Sequence, residues 1–163
     1  MKPVIVSDAG PLIALAKLDL LNLLPQIFST VYIPKIVFEE ATKNQQREDA
    51  QRITNYFSPK IQIINNLENT FSKSLETLLD DGEIQALTHA KALKCSVLMD
   101  EKRGRQIAIH NEIPVVGIIG VLLQARQQDL ISEVKHYLLK LQDVDYRLSD
   151  SLLNRALKLA GEG

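Results

Sequence analysis

The sequence predicts an α/β fold with a mostly parallel central sheet of about five strands. Short runs rich in β-branched residues alternate along the 163 residues with stretches whose apolar residues recur at helical spacing. A hydrophobic content of 45% is enough to build a sizeable core, and no internal repeat or low-complexity linker marks a second unit. We therefore expect a single domain over residues 1–163, with a C-terminal helical extension from about residue 129.

Five runs are the strand candidates. Each is short and apolar and is bounded by residues that favour turns or helix starts, as is typical of strands in a parallel sheet. They cover residues 4–8, 30–33, 61–64, 96–100 and 115–117.

The intervals between these runs carry helical patterns. Proline at a first helical position favours helices that begin near Pro11 and Pro34, because its missing N–H has no partner there in any case. Five further candidates cover residues 20–28, 50–57, 67–80, 83–93 and 101–110. In the second of these, Ala50, Ile53 and Phe57 share one face, and the pattern over 67–80 is weak. Two amphipathic helices follow after residue 129, and Ser149 caps the second of them.

Four carboxylates occupy related positions in this pattern. Asp8 and Asp100 end two of the strand candidates, Glu83 opens a helix, and Glu40 lies in the second turn of the helix that begins at Pro34. In a right-handed strand–helix–strand unit, each strand ends and the next helix begins at the same edge of the sheet. We expect all four acids at that edge, where open α/β sheets bind their ligands.

Acidic residues gathered without basic partners repel one another, so their clustering indicates a site for divalent cations. Mg²⁺ or Mn²⁺ held there can activate a water for in-line attack on a phosphodiester and can neutralise the charge that develops at phosphorus. The predicted activity is that of a nuclease, a hydrolase. Its predicted catalytic and metal-binding residues are Asp8, Glu40, Glu83 and Asp100.

These acids lie within four ordered motifs. The motifs read VIVSDAGPLIAL at residues 4–15, IPKIVFEEA at 33–41, DGEIQAL at 81–87 and VLMDEKRGRQIA at 97–108, followed by IPVVGIIGVLL at 113–123. Over this span, from Val4 to Leu123, the sequence resembles the PIN domain family. Within that family it is similar to a prokaryotic branch of predicted nucleic-acid-binding proteins related to VapC-like toxins.

The resemblance implies a three-layer α/β/α fold and endoribonuclease cleavage of RNA with Mg²⁺ or Mn²⁺. It also implies a role as the toxin of a toxin–antitoxin pair, with a cognate antitoxin protein as partner. Asp8 matches the first family aspartate, Glu40 the helix glutamate and Asp100 the strand-end aspartate. Glu39 competes for the helix position, but Glu40 fits the spacing better.

Glu83 departs from the family pattern, because many members have aspartate at its position. The side chain is one methylene longer, which leaves Asp81 and Glu101 as auxiliary acids.

Three basic residues, Lys102, Arg103 and Arg105, follow Asp100 and either hold substrate phosphates or form a solvated helix face. With a net charge of -1, the protein has no general basic field that would attract RNA.

Two other function classes compete with the nuclease. The first is a non-catalytic PIN-like module that binds RNA or protein. The second is a phospho-accepting receiver domain, which requires an acid pair at the first strand and a lysine on a late strand; Ser7 and residues 115–117 do not supply them. For the terminal helices, core packing, a homodimer contact and a partner-binding surface all remain open.

The chain has a single cysteine, Cys95, which excludes an internal disulfide framework. We expect the protein to work in the reducing cytoplasm. No apolar stretch approaches the roughly 20 residues that a bilayer span requires, so we expect no membrane partner.

Overall fold

The computed structural model describes residues 2–144, 146 and 148–163. The strands are β1 (Val4–Ser7), β2 (Thr30–Pro34), β3 (Ile61–Ile64), β4 (Ser96–Leu98) and β5 (Val115–Val116). The helices are α1 (Ala9–Lys17), α2 (Leu23–Ile27), α3 (Lys35–Thr42), α4 (Glu48–Asn55), α5 (Thr70–Ser74), α6 (Asp81–Leu93), α7 (Lys102–His110), α8 (Ile118–Gln127), α9 (Lys135–Asp143) and α10 (Asp150–Leu159). All five predicted strands are present.

The strands form one parallel sheet in the order β3-β2-β1-β4-β5. Successive residues of β1 belong to different cores: Ile5 packs with α1, α2, α8 and α9, whereas Val6 packs with α6 and α7. Because side chains alternate across a strand, the two cores lie on opposite faces of the sheet. Helices therefore cover both faces, and the predicted three-layer α/β/α fold is confirmed.

Strand β1 lies at the centre and pairs with both β2 and β4. The chain leaving β1 moves toward β2 and β3, whereas the chain leaving β4 crosses to β5 on the other side. A crevice opens beyond the carboxyl ends of two adjacent strands whose connections diverge in this way. The residues that follow β1 and β4 border it.

Helix α8 is an element that the sequence pattern does not predict. Its buried residues are Ile118, Val121, Leu122 and Ala125, and Ile119 and Leu123 are partly buried as well. The helix packs against α1, α2 and α10, so it has apolar neighbours on several sides. Residues 118–123 carry no polar side chain, so helical periodicity is not visible in that part of the sequence.

Two helical predictions need correction. Helix α4 ends at Asn55, and Phe57 does not pack inward with Ala50 and Ile53, because its side chain is 86% exposed. In the weak segment 67–80 the described helix is short, covering only Thr70–Ser74.

The C-terminal helices pack on the same core as β1. Leu138 and Leu141 of α9 are fully buried, and Ala156 anchors α10. The Ser149 hydroxyl accepts a hydrogen bond from the Leu152 N–H at 3.1 Å, which confirms the predicted cap. No helix in the described part of the chain is long and apolar enough to cross a membrane.

Candidate active site

Asp8 and Asp100 lie at the carboxyl edge of the sheet, at the crevice between β1 and β4. Asp8 follows β1 directly, and its N–H donates to the Leu98 carbonyl at the end of β4, with an N to O distance of 2.9 Å. Asp100 lies two residues beyond Leu98, so it stands just outside the strand. The loops that carry these two carboxylates are therefore neighbours.

Glu40 reaches the same edge from helix α3. Its carboxylate lies against Gly82 in the first turn of α6, and a Cβ atom on Gly82 would be 2.8 Å from each Glu40 oxygen. The absence of a side chain at residue 82 therefore permits this contact. Burial, followed by the charges of Asp80 and Asp81, raises the pKa of Glu40, while a hydrogen bond from the Gly82 backbone lowers it.

Helix α6 begins with a capping box that holds Glu83. The Glu83 N–H donates to Asp80 Oδ1 at 2.9 Å, and the Asp80 N–H donates to Glu83 Oε1 at 3.1 Å. This reciprocal pair satisfies two N–H groups that the first turn of a helix otherwise leaves open. It also folds the Glu83 carboxyl back over the helix start, where only 8% of the residue is exposed.

Glu83 and Glu101 lie close enough for each to shift the pKa of the other. The pKa of Glu83 is raised to about 8, mainly by burial and also by the charges of Asp80 and Asp8 and the Glu101 contact, while the hydrogen bond from the Asp80 N–H opposes the rise. Burial would also raise the pKa of Glu101, but hydrogen bonds from the Gly104 and Arg103 N–H groups outweigh it, so this pKa is lowered. The two pKa shifts have opposite directions, so Glu83 is the harder of the two acids to ionise.

Asp8 lies at the centre of this group of acids. Only 7% of the residue is exposed, and its burial raises its pKa to about 7. The charges of Asp80, Glu40 and Glu101 contribute to this rise in pKa, and a hydrogen bond from the Ala9 N–H opposes it. An ionised Asp8 is therefore costly in the metal-free protein, and a bound cation would relieve that cost.

Asp100 has a different environment. Its two oxygens accept the Ile118 N–H at 3.2 and 3.1 Å, and Oδ2 also accepts the Tyr146 hydroxyl. The Arg105 guanidinium lies 3.8 Å from Oδ1. Burial raises the pKa of Asp100, while Tyr146, Ile118 and Arg105 each lower it. Gly117 permits the close approach, since a Cβ there would be 2.5 Å from Oδ1.

The three basic residues lie in the first turns of α7, beside the acids. Lys102 and Arg103 are exposed, and Arg103 makes a long contact of 3.4 Å with the Leu78 carbonyl. Arg105 is half-buried and faces Asp100. Lys102 and Arg103 are thus accessible from solvent, whereas Arg105 is also part of the Asp100 environment.

A family model, DUF3368, described as a PIN domain, matches residues 4–162. The chain belongs to the PIN domain family. PIN domains are generally nucleases, and Asp8 and Asp100 of this PIN domain lie at the carboxyl edge of its sheet. No curated protein matches the sequence.

The structure places the sequence-predicted acids of this PIN domain in two adjoining groups. Asp8, Glu40 and Glu83, with the auxiliary acids Asp81 and Glu101, are linked through mutual repulsion or hydrogen bonds, whereas Asp100 is held by Ile118, Tyr146 and Arg105. Sequence reasoning missed Asp80 and Tyr146. The spacing of Asp80 and Glu83 is that of a capping box, so Asp80 could have been found. No sequence pattern indicates Tyr146.

The donor set suits a hydrated divalent cation. Within residues 2–144, 146 and 148–163, no three His, Cys, Asp or Glu side chains are arranged closely enough to hold one metal ion. Mg²⁺ commonly takes only one or two carboxylates and keeps several waters, so this arrangement fits it better than an all-protein cage. The raised pKa values of Asp8 and Glu83 mean that ionising either acid is unfavourable in the metal-free protein.

Proposed function

We propose that this PIN domain is a divalent-metal-dependent endoribonuclease that hydrolyses RNA phosphodiester bonds. The observation that carries the proposal is the buried Asp8, with its pKa raised to about 7, beside Glu83, with its pKa raised to about 8, at the crevice between β1 and β4. Acids with strongly raised pKa values in a cleft are candidates for a functional site. A structural carboxylate would be expected to have a basic partner.

In this proposal, the metal-binding and catalytic residues are Asp8, Glu40, Glu83 and Asp100, and Asp81 and Glu101 assist. When bound there, Mg²⁺ or Mn²⁺ would activate a water and would neutralise charge on the phosphate. The Gly104 N–H donates to Glu101 Oε2 at 2.7 Å and orients this auxiliary acid. Ile118 and Tyr146 fix the orientation of Asp100 through its two oxygens.

The test is cleavage of single-stranded RNA with Mg²⁺, with Mn²⁺ and with EDTA. The wild-type protein is expected to cut only with metal, and Asp8→Asn should abolish cutting because it removes a charged ligand while keeping the side-chain shape. Asp129→Asn is the matched control: Asp129 is exposed, and asparagine tolerates its positive φ of 59°. Equal cleavage by wild type and Asp8→Asn would refute the proposal.

A second candidate is a non-catalytic module that binds RNA or protein. It is favoured by the Tyr146 hydroxyl, which already donates to Asp100, one of the proposed metal ligands. Mn²⁺ binding and RNA binding without any cleavage, across varied RNA sequences, would select this candidate over the nuclease.

We propose further that the protein is the toxin of a toxin–antitoxin pair acting on cytoplasmic RNA. The support is the likeness of the motifs at residues 4–15, 33–41, 81–87 and 97–108 to VapC-like toxins. Expression of the chain alone should arrest growth, and Asp8→Asn should not. Co-expression of a small protein encoded beside the gene should restore growth and suppress cleavage by the purified toxin.

A further inference from the structure

A cavity of about 450 Å³ adjoins Asp100 on the side away from Asp8, between β5, the start of α8 and helix α10. Its walls are largely apolar and include Val116, Ile119 and Leu152, whereas Asp100 and Arg105 provide charge at one end. Pockets for small ligands commonly measure about 300–1,000 Å³ and combine apolar walls with a few polar groups. The cavity is therefore large enough for part of a nucleotide.

Tyr146 stands at the boundary between this cavity and the carboxylates. Its side chain lines the cavity, and its hydroxyl donates to Asp100 Oδ2. That hydrogen bond fixes one end of the ring, so the aromatic face is held in place before any ligand arrives. Arg105, 3.8 Å from Asp100 Oδ1, lines the same end. Aromatic rings and guanidinium planes are the groups on which proteins stack unpaired bases.

Two glycines keep the cavity open. A Cβ on Gly120 would be 3.2 Å from Val116 Cγ1, and one on Gly117 would be 2.5 Å from Asp100 Oδ1. Both residues line the cavity, so side chains at these positions would narrow it and disturb its neighbours. The space beside Asp100 thus depends on these residues.

We propose that this cavity binds the nucleobase of a nucleotide next to the scissile phosphate of single-stranded RNA. This inference rests on the proposed function, because the carboxylates beside Asp100 set where the phosphate lies. A base can enter a cavity of this kind only after leaving the stack of a duplex, so the substrate must be unpaired there. The apolar walls offer few hydrogen-bonding groups, so base identity is read weakly.

The first test compares ligands with and without a base. Isothermal titration in EDTA is run with AMP, CMP, ribose 5-phosphate and inorganic phosphate, using the full chain. AMP should bind at least about fivefold more tightly than ribose 5-phosphate, because stacking on an aromatic side chain contributes that much or more per base. Equal affinities of AMP and ribose 5-phosphate would overturn the inference.

The second test uses two positions on helix α10. Leu152 lines the cavity and is 42% exposed, whereas Leu159 is 70% exposed and lies outside it. Leu152→Glu should weaken AMP binding at least about fivefold through repulsion and loss of apolar contact, and Leu159→Glu should not. Because both residues are partly exposed, both variants should fold, and equal melting temperatures verify this. Equal AMP binding by the two variants would contradict the assignment of the cavity.

Substitutions at Tyr146 separate the ring from the hydroxyl. Tyr146→Phe keeps the ring and should retain most AMP binding. Tyr146→Ala removes the ring and should bind AMP no more tightly than ribose 5-phosphate. If Tyr146→Ala binds AMP as tightly as wild type, the ring is not the stacking surface and the inference fails.

Cleavage assays distinguish this inference from the nuclease proposal. The protein could bind AMP more tightly than ribose 5-phosphate, lose that binding with Leu152→Glu, and yet cut no RNA with Mg²⁺ or Mn²⁺. That result would support the cavity assignment and refute the nuclease proposal. If the protein cuts RNA only with metal but binds AMP and ribose 5-phosphate with equal affinity, the nuclease proposal is supported and the cavity assignment is refuted.

Discussion

Gly82 lies directly against the carboxylate of Glu40, so closely that a Cβ atom on residue 82 would be 2.8 Å from both carboxylate oxygens. Glu40 comes from α3 and Gly82 from the first turn of α6, so the contact joins two elements of the candidate active site. Although Glu40 as a whole is exposed, its carboxylate is partly covered at Gly82, so the position of that carboxylate depends on the lack of a side chain at residue 82. This contact can be tested without removing any acid.

We expect Gly82→Ala to reduce RNA cleavage while leaving the fold as stable as before, or slightly more stable. The added methyl group displaces a flexible carboxylate rather than backbone, so the steric cost is small. Alanine also favours a helix over glycine by up to about 1 kcal/mol. Thermal unfolding and metal-dependent cleavage measured on the same preparations would show the two effects separately.

Gly10→Ala is the matched control. Gly10 is the second residue of α1, as Gly82 is of α6, and a Cβ on Gly10 would meet no heavy atom within 4 Å. This variant should gain the same helix propensity and keep full cleavage. If Gly82→Ala cuts RNA as fast as Gly10→Ala, the position of Glu40 does not matter for the reaction.

The stability of the metal-free protein should fall as pH rises from about 5 to about 9. The pKa values of Asp8 and Glu83 are raised to about 7 and about 8, above their unfolded values. The folded state therefore holds more protons than the unfolded state in this range, and stability present at low pH is lost as pH passes through the folded pKa values. For Asp8 alone the loss is on the order of 2–4 kcal/mol.

Two substitutions should flatten this pH dependence. Asp8→Asn removes one titrating group, and Glu83→Gln imitates the protonated acid while keeping a residue suited to the capping box. Urea unfolding in EDTA at about pH 5 and about pH 9 measures the effect. Asp129→Asn and Glu133→Gln, at exposed positions, serve as controls and should follow wild type. A wild-type curve that rises with pH would rule out a destabilising role for these acids.

Binding of Mn²⁺ should release protons and become stronger from about pH 6 to about pH 8. Cation ligands must be deprotonated, and in this range Asp8 and Glu83 are partly protonated in the metal-free state. The rise in melting temperature caused by a fixed excess of Mn²⁺ should therefore be larger at the higher pH. Titration in two buffers of different ionisation enthalpy would count the protons released.

Asp8→Asn should lower the Mn²⁺-induced rise in melting temperature, and Asp129→Asn should leave it unchanged. A rise in melting temperature that is the same for wild type and Asp8→Asn would show that Mn²⁺ binds elsewhere on the protein.

The positions of the strands and of several acids were predictable from the sequence, because both follow from local patterns. The β-branched runs before Asp8 and Asp100 indicate strands, and parallel strands bring their carboxyl ends to one edge. Glu83 and Asp80 follow from helix-capping chemistry. These residues lie close in sequence to the element that positions them.

The environment of Asp100 was not predictable in the same way. Tyr146 is 46 residues away in sequence, and it reaches Asp100 because α9 and α10 pack on the core shared with β1. Amphipathic periodicity shows that these helices bury one face but does not show against what. Helix α8, which supplies the Ile118 N–H, was not predicted because residues 118–123 carry no polar side chain that would mark a helical period.

The exposed basic residues at the start of α7 give the last prediction. Lys102→Gln combined with Arg103→Gln should weaken RNA binding and reduce its salt dependence, because each lost phosphate contact lowers the log-log salt slope by about 0.7 for a single strand. Arg105 is left in place, since its guanidinium lies 3.8 Å from Asp100 and its loss would also disturb that carboxylate. Affinity is measured with Asp8→Asn as the background, so that RNA stays intact.

Lys60→Gln combined with Lys94→Gln provides the control with the same change in net charge. Lys60 and Lys94 lie just before β3 and β4, at the opposite edge of the sheet, and both are exposed. With a net charge of -1, the protein has no general basic field, so a local contact should outweigh the change in total charge. The Lys102→Gln, Arg103→Gln variant should therefore bind RNA more weakly and with a smaller salt dependence than wild type, whereas the Lys60→Gln, Lys94→Gln variant should match wild type in both. Equal losses in the two double variants would mean that RNA responds only to net charge, and that Lys102 and Arg103 are a solvated helix face.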